Sequence, residues 1–372
     1  MGRQIYMRIY APGFDMELVP TEIYSFVYSE AIHGCARWSL VIRTDRYDKF
    51  DSFVKWNEDQ PFELEFGYKE PQLQVTRKRV LLLESSRRTL GSAAYFTFRG
   101  LCAGHLLNLK VLTNKVWEDS ISNIVKEIIS DCGLEAKVEQ TEGKYKIACG
   151  WDRAGPFICK YLMPLAYSSK GNDWALTIED GRKAIFAPVE IGGARWKFTD
   201  FREAHKESQW ITLFLPELRK STLLRPWRGD GLVEVRSYSP GSAVLSKFKA
   251  NESNVGFRYL QGGKPRPANK SELVKPSFFH EGVNTKVSDQ TQVMHEAKTR
   301  WSLDARGLYR LNGLVKFDPT VRVGDICRVV ISHNKFGTHV SSTGLYLLNR
   351  MESYFTRGEI KTFVSLTRRW EI

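Results

Sequence analysis

Phe62-Glu63-Leu64-Glu65-Phe66-Gly67-Tyr68 places a bulky apolar side chain at every second position. A period of two is the mark of a β-strand with one buried face. The same alternation recurs on both sides of it. Ala36-Arg37-Trp38-Ser39-Leu40-Val41-Ile42-Arg43 alternates, and Gln4 to Tyr10 does so before stopping at Ala11-Pro12-Gly13. Val80 to Ser85 and Ala94 to Leu101 continue the series. Several strands with turn signals between them predict a small barrel or sandwich over residues 1–108.

Beyond residue 108 the period changes. Apolar residues at 116, 117, 121, 124, 125, 128 and 129 have helical spacing. Glu118 and Asp119 suit a first turn, where the helix dipole favours anions. Gly133 stands where a left-handed terminating residue belongs. A second helix is predicted over Phe157 to Ala166, after the start signal Gly155-Pro156. Trp174 to Pro188 reads as a hairpin turning at Asp180-Gly181. Residues 109–200 therefore form a small α+β domain.

Residues 201–372 return to strands. Leu232 to Tyr238 alternates and ends at Ser239-Pro240-Gly241. Residues 250–284 read as a loop-rich insertion, since Gly262-Gly263-Lys264-Pro265-Arg266-Pro267 carries two residues that cannot donate to a sheet. Ser288 is a candidate N-cap for a helix bearing Val293, Met294, Ala297 and Trp301. Gly307 to Leu314 follows, then Thr320 to Asp325, then Ile326 to Ile331. Leu345 to Tyr354 and Glu359 to Thr367 close the chain, joined through Thr356-Arg357-Gly358. The fold class is mainly β: two barrel or sandwich domains flank, and are joined by, a small α+β domain.

The chain has 372 residues, 42% apolar and 26% charged, the balance of a globular protein with two or three domains. No run approaches the roughly 20 apolar residues of a membrane span, and no apolar run follows the N-terminus. The net charge of +13 is lopsided: residues 1–200 hold 27 Lys and Arg against 26 Asp and Glu, residues 201–372 hold 28 against 16. The densest stretch is Leu218-Arg219-Lys220-Ser221-Thr222-Leu223-Leu224-Arg225-Pro226-Trp227-Arg228. Such a field attracts polyanions or an acidic protein. No helix-turn-helix, zinc finger or RNA-binding aromatic motif accompanies it, so sequence-specific nucleic-acid binding is not expected. Arg219, Lys220, Arg225, Trp227 and Arg228 are the candidate partner-interface residues. A polyanion-binding module or a cell-wall-degrading enzyme is the competing reading.

Chemistry finds little to hold on to. No phosphate loop or nucleophile elbow occurs, and His295-Glu296 has Thr299 where a second zinc ligand would stand. Glu63 and Glu65 are expected on a solvated strand face. Cys35, Cys102, Cys132, Cys149, Cys159 and Cys327 lack knuckle or dithiol spacing and sit in apolar contexts, as reduced, buried thiols would. No catalytic residue, cofactor or metal is expected.

The later motifs resemble those of a known family. Val235-Arg236-Ser237-Tyr238-Ser239-Pro240 is followed by Tyr309-Arg310-Leu311-Asn312-Gly313, then Val321-Arg322-Val323-Gly324-Asp325, and finally Met351-Glu352-Ser353-Tyr354-Phe355-Thr356-Arg357-Gly358-Glu359-Ile360-Lys361-Thr362-Phe363-Val364-Ser365-Leu366. This order resembles the late-control D family of phage tail proteins, the baseplate hub of contractile tails, and the hub part of type VI secretion spikes. The resemblance implies a homotrimer in which two tube-like barrels per chain make a six-fold-like ring. Such a ring adapts a tail tube protein to a central spike protein, in a virion baseplate assembled in the bacterial cytoplasm. Tape-measure protein is a further implied partner. No needle or lysozyme domain follows Ile372, so the spike is expected to be a separate protein.

Overall fold

The computed structural model describes residues 4–45, 47–56, 60–69, 73–90, 93–171, 173–189, 194–200, 210–220, 233–239, 244–250, 275–277, 309–333, 337–338, 343–356 and 358–370. The first β-module comprises β1 (Ile5–Ala11), β2 (Phe14–Leu18), β3 (Ile23–Ala31), β4 (Arg37–Thr44), α1 (Tyr47–Trp56), β5 (Phe62–Tyr68), β6 (Gln74–Leu90) and β7 (Ala93–Cys102). Its strands run in the order β3-β4-β7-β6-β5-β1-β2. Met7, Leu18, Phe26, Leu40, Leu64, Val80 and Phe98, one from each strand, share a single core, so the sheet wraps on itself. Phe50 and Phe53 of α1 fill that core, with Phe53 5.1 Å from Phe62 and Phe50 5.3 Å from Phe96. The alternation in each strand is what supplies one inward side chain per two residues.

The middle unit contains α2 (Leu106–Leu109), β8 (Val111–Asp119), α3 (Ile121–Asp131), β9 (Glu135–Val138), β10 (Tyr145–Arg153), α4 (Ala154–Phe157), β11 (Trp174–Glu179) and β12 (Lys183–Pro188). The predicted second helix is present, α4 continuing as a π turn over Ile158–Leu162 and a 3-10 turn over Met163–Leu165. The predicted first helix starts later than its apolar spacing suggests. Val116 to Asp119 belong to β8, and Ser120 is the N-cap, its Oγ accepting from the Asn123 N–H at 3.3 Å. The reason is that Trp117, a strand residue, packs on Phe157 at 5.9 Å, while Asp119 accepts from Ser120 N–H and Asn123 Nδ2 just outside the helix. Gly133 ends α3 at φ 72°, as expected. The hairpin turns where predicted, with Asp180 and Gly181 at φ 54° and 69° and Arg182 N–H donating to Glu179 C=O at 3.1 Å.

The second β-module comprises β13 (Trp196–Asp200), β14 (Trp210–Lys220), β15 (Val233–Ser239), β16 (Val244–Ala250), β17 (Lys275–Ser277), β18 (Tyr309–Lys316), β19 (Ile326–Val330), β20 (Ser332–His333), β21 (Gly337–Thr338), β22 (Gly344–Thr356) and β23 (Glu359–Trp370). Six of these, in the order β19-β13-β14-β18-β23-β22, close into a barrel through β22–β19 pairing. Leu213, Leu311, Val329, Tyr346, Leu348, Val364 and Leu366 fill its core. The helix expected after Ser288 lies outside the described residues, as does the loop-rich insertion apart from its two ends of strand, Ala250 and Lys275–Ser277.

One pattern of pairing occurs twice. In the first module the chain order β3, β4, β5, β6, β7 pairs antiparallel as β3-β4-β7-β6-β5; in the second, β14, β18, β19, β22, β23 pair antiparallel as β14-β18-β23-β22-β19. One bulge coincides as well. Leu83 is the extra residue between Leu82↔Gly100 and Glu84↔Arg99, and Asn349 is the extra residue between Leu348↔Leu366 and Arg350↔Ser365.

Gly100 shows how tightly the first module is packed. The Trp38 indole N–H donates to Leu81 C=O at 3.3 Å directly over it. A Cβ there would stand 1.9 Å from that oxygen and 2.5 Å from the indole nitrogen. Gly100→Ala is expected to destabilise the chain by about 2–3 kcal/mol, read as a lowered urea midpoint. An unchanged midpoint would refute the packing described.

Candidate interface surfaces and the ion cluster between the units

Lys78 lies on β6 facing the middle unit and is 5% exposed. A lone buried ammonium would cost several kcal/mol, yet two carboxylates meet it. Its Nζ is 2.7 Å from Glu30 of β3 and 3.1 Å from Asp180 at the β11–β12 turn. Asp180 in turn lies 2.9 Å from Arg322 Nη1, and Arg322 Nε is 2.9 Å from Glu179. Arg322 precedes β19, so the cluster touches all three units. Burial works to raise the Asp180 carboxyl, but the Lys78 and Arg322 charges outweigh it and hold the group below its ordinary value. Burial likewise works to lower Lys78, and Glu30 and Asp180 raise it above its ordinary value. The backbone joins in: Arg79 N–H donates to Asp180 C=O at 2.9 Å, and a Cβ at Gly181 would lie 2.1 Å from Arg79 C=O. Only glycine lets the turn approach β6 so closely.

Glu63 and Glu65 correct the sequence reading. They are not solvated, their side chains being 17% and 10% exposed. Arg77 pairs with both, Arg182 of the middle unit reaches Glu63, and Tyr6 donates to Glu65 at 3.3 Å. The polar face of β5 is covered by β-hairpin and arginine rather than water. Asp325 is similarly occupied, accepting from Arg195 at 3.1 Å, Trp196 Nε1 at 2.7 Å and the Arg322 N–H at 3.0 Å. These carboxylates tie elements together; each is engaged by cations of its own chain.

Glu30, Lys78, Glu179 and Arg322 of the cluster line one cavity, and a second is lined by other residues. The first, of about 400 Å³, lies between the sheet face carrying Thr177, Ile185 and Ala187 and the rim residues Val323 to Ile326. The other, of about 450 Å³, is lined by His33, Cys35, His105, Asn108 and Cys159. Burial, together with the Arg37 and Arg153 charges, lowers His105. Cys102, Cys132, Cys149 and Cys327 are buried, whereas Cys35 and Cys159 are half-buried, and all six are free thiols. Burial pushes Cys132 up to about 11, which keeps it a neutral thiol at pH 7. Among the described residues no three His, Cys, Asp or Glu are placed to hold a metal ion.

Of the candidate interface residues, the described part of the chain contains two. Arg219 and Lys220 end β14, paired with Arg310 and Tyr309 of β18. Arg225, Trp227 and Arg228 lie outside the described residues. Several exposed apolar side chains escaped the sequence reading: Leu215 on β14 is 80% exposed, Trp151 on β10 72%, and Leu83 and Leu90 on β6 64% and 61%. Strand alternation marks which residues face a chain's own core, and carries no sign of what covers the other face.

The fold is similar to those of solved structures. A tail protein from Neisseria meningitidis MC58 superposes with a TM-score of 0.60 at 10% identity, over 99% of this chain and 97% of that one. The 43 kDa tail protein of prophage MuSo2 from Shewanella oneidensis gives 0.58 at 10% identity, over 99% and 98%. The chain has the fold of phage tail proteins. An E. coli type VI secretion component, described as similar to T4 bacteriophage tail proteins gp27 and gp5, gives 0.51 at 9% identity, over 93% of this chain and 73% of that one. No family model matches, and no curated protein matches.

The sign of the Asp180 effect fixes a pH dependence for this tail-protein fold. A carboxyl held below its unfolded value contributes stability that is present above that value and is lost as pH falls through the folded one. Asp180→Asn should therefore be less stable than the parent at pH 7, with the gap closing below about pH 4. Urea midpoints at pH 3 to 7 read this directly. A gap independent of pH would exclude the ionic role. Lys78→Ala, which strands Glu30, should cost about 3–5 kcal/mol at pH 7.

Proposed function

We propose that the chain is the structural baseplate hub of a contractile phage tail or a related injection device. It acts as a homotrimer, adapting a six-fold tail tube to a three-fold central spike. The observation that carries this reading is the repeated pairing order of β3-β4-β7-β6-β5 and β14-β18-β23-β22-β19. A chain with two modules of one topology lets three copies present six similar units, a tube-like β-domain at each position. The likeness to tail proteins over nearly the whole chain supports it, and so does the resemblance of the closing motifs to the late-control D family.

The role requires rigid joints rather than a reactive site. The Lys78 cluster supplies one, and the strand shared by the two modules supplies another. The basic stretch containing Arg219, Lys220, Arg225, Trp227 and Arg228 is proposed to dock a partner: the tail tube protein, the spike protein or tape-measure protein. Its place in this reading is the tail of the virion, after assembly in the host cytoplasm.

Native mass spectrometry of the purified chain at micromolar concentration, alone and with the spike and tube proteins, is expected to show a trimer. A monomer under every one of these conditions would overturn the hub reading. Replacing Arg219, Lys220, Arg225 and Arg228 together by Ser should weaken partner docking and leave the urea midpoint unchanged. Unfolding instead would make those residues structural, and salt-sensitive retention on heparin with no protein partner would favour the polyanion-binding alternative.

A further inference from the structure

The two long hairpins differ in one respect. In β22, residues 344–347 pair with β19 of their own module, and after the Asn349 bulge residues 350–354 pair with β3 of the other module. In β6, residues 74–80 pair with β5 of their own module, and the Leu83 bulge follows at the same place. From there to Leu90 every residue is exposed, and among the described residues no strand pairs with the outer edge. The half of β6 that corresponds to the β3-bearing half of β22 is thus an open edge.

We propose that this edge of β6, residues 84–88, pairs antiparallel with β14 of a second copy of this chain. The inference rests on the trimer reading above and names the contact that would close it. β14 is chosen because it takes the place in the second module that β3 takes in the first. Among the described residues β13 borders it from Trp210 to Leu213, whereas β18 borders its other side as far as Lys220. Pro216, which lacks an N–H, sits on β14 where an edge tolerates it.

The repeat also fixes the register. Arg350 pairs with Ser365, Ser365 with Asn312, and Asn312 with Glu217; in the first module Glu84 pairs with Arg99, Arg99 with Ser39, and Ser39 with Val27. Glu217 therefore occupies the position of Val27, whose partner is Tyr354. Tyr354, four residues beyond Arg350, corresponds to Arg88, four beyond Glu84. Arg88 falls opposite Glu217 of the next copy, Ser86 opposite Arg219 and Ser85 opposite Lys220. Opposite charges face each other, and the two basic residues of β14 meet serines rather than Arg87 or Arg88. Toward the end of the run lie Leu90 and Leu215, 61% and 80% exposed in the single chain. The contact is heterologous, first module of one copy to second module of the next, and three such contacts close a ring.

A charge swap tests it. In sedimentation equilibrium of the full chain, Arg88→Glu and Glu217→Arg should each weaken the trimer by roughly tenfold per contact, and the double variant should regain most of the loss. Hydrogen exchange of the unmutated chain supplies a readout independent of side chains: amides of residues 84–88 should be slowed at least about tenfold in the trimer relative to dilute monomer. A trimer whose 84–88 amides exchange as fast as in the monomer, or a double variant no better than the singles, overturns the pairing and leaves the hub reading standing. A chain that never leaves the monomer overturns both.

Discussion

β22 joins the two modules into one 13-stranded sheet, and the architecture depends on it. Its first residues close the six-stranded barrel against β19, and its later residues pair with β3 of the first module. A strand offers two edges, and a barrel of its own would use both. The bulge at Asn349 changes the partner part-way along, so a single segment satisfies backbone donors and acceptors in both modules. Ile360 and Phe317 from the second module reach the core of the first, and Tyr68 both donates to Ile360 C=O and accepts its N–H. The two modules are consequently joined by ladder and core together.

The middle unit is attached by apolar contact as well as by charge: Ile32, Ala175, Val189, Ile326 and Leu347 share one buried cluster, and Ile178 packs on the core of the first module. It also meets the first module at the Asp180-Gly181 turn, where Lys78 is buried against Glu30 and Asp180, and Asp180 pairs with the half-buried Arg322 beside the first cavity. Such clusters add little net stability over an apolar contact, yet they demand one geometry, because any displacement leaves a buried charge unpaired. The same logic explains why Glu63 and Glu65, a carboxylate pair that could suggest chemistry, are bound by arginines on both sides.

Much of the β framework was legible beforehand. Phe62–Tyr68 forms a strand with the bounds its alternation indicates, and Trp174 to Pro188 is the expected hairpin. The closing hairpin, with Gly358 at φ 89°, is another. Helical spacing misplaced the start of α3, since a bulky strand residue such as Trp117 also satisfies a helical count. α1 was missed because the fully buried residues among its described side chains, Phe50 and Phe53, are too few to mark a helical period. Of strand β14 Leu218 to Lys220 stand out in the sequence as part of a basic run, and nothing in them points to the pairing with β18. The candidate surface was partly legible: Arg219 and Lys220 stand out by charge, whereas Arg88, Leu90 and Leu215 do not.

Local sequence determined the strands, the turns and the duplication of an all-β layout, because alternation and positive-φ turn residues act over a few positions. It determined nothing about which charges would meet. Lys78 lies 48 residues from Glu30 and 102 from Asp180, and Arg322 lies 142 from Asp180. Only the closing of the sheets brings those groups within 3.1 Å of each other. Which half of β22 serves which module, and which edge of β6 is left open, were likewise decided by tertiary structure. Backbone donors and acceptors are the same in every residue, so only the path of the fold selects their partners.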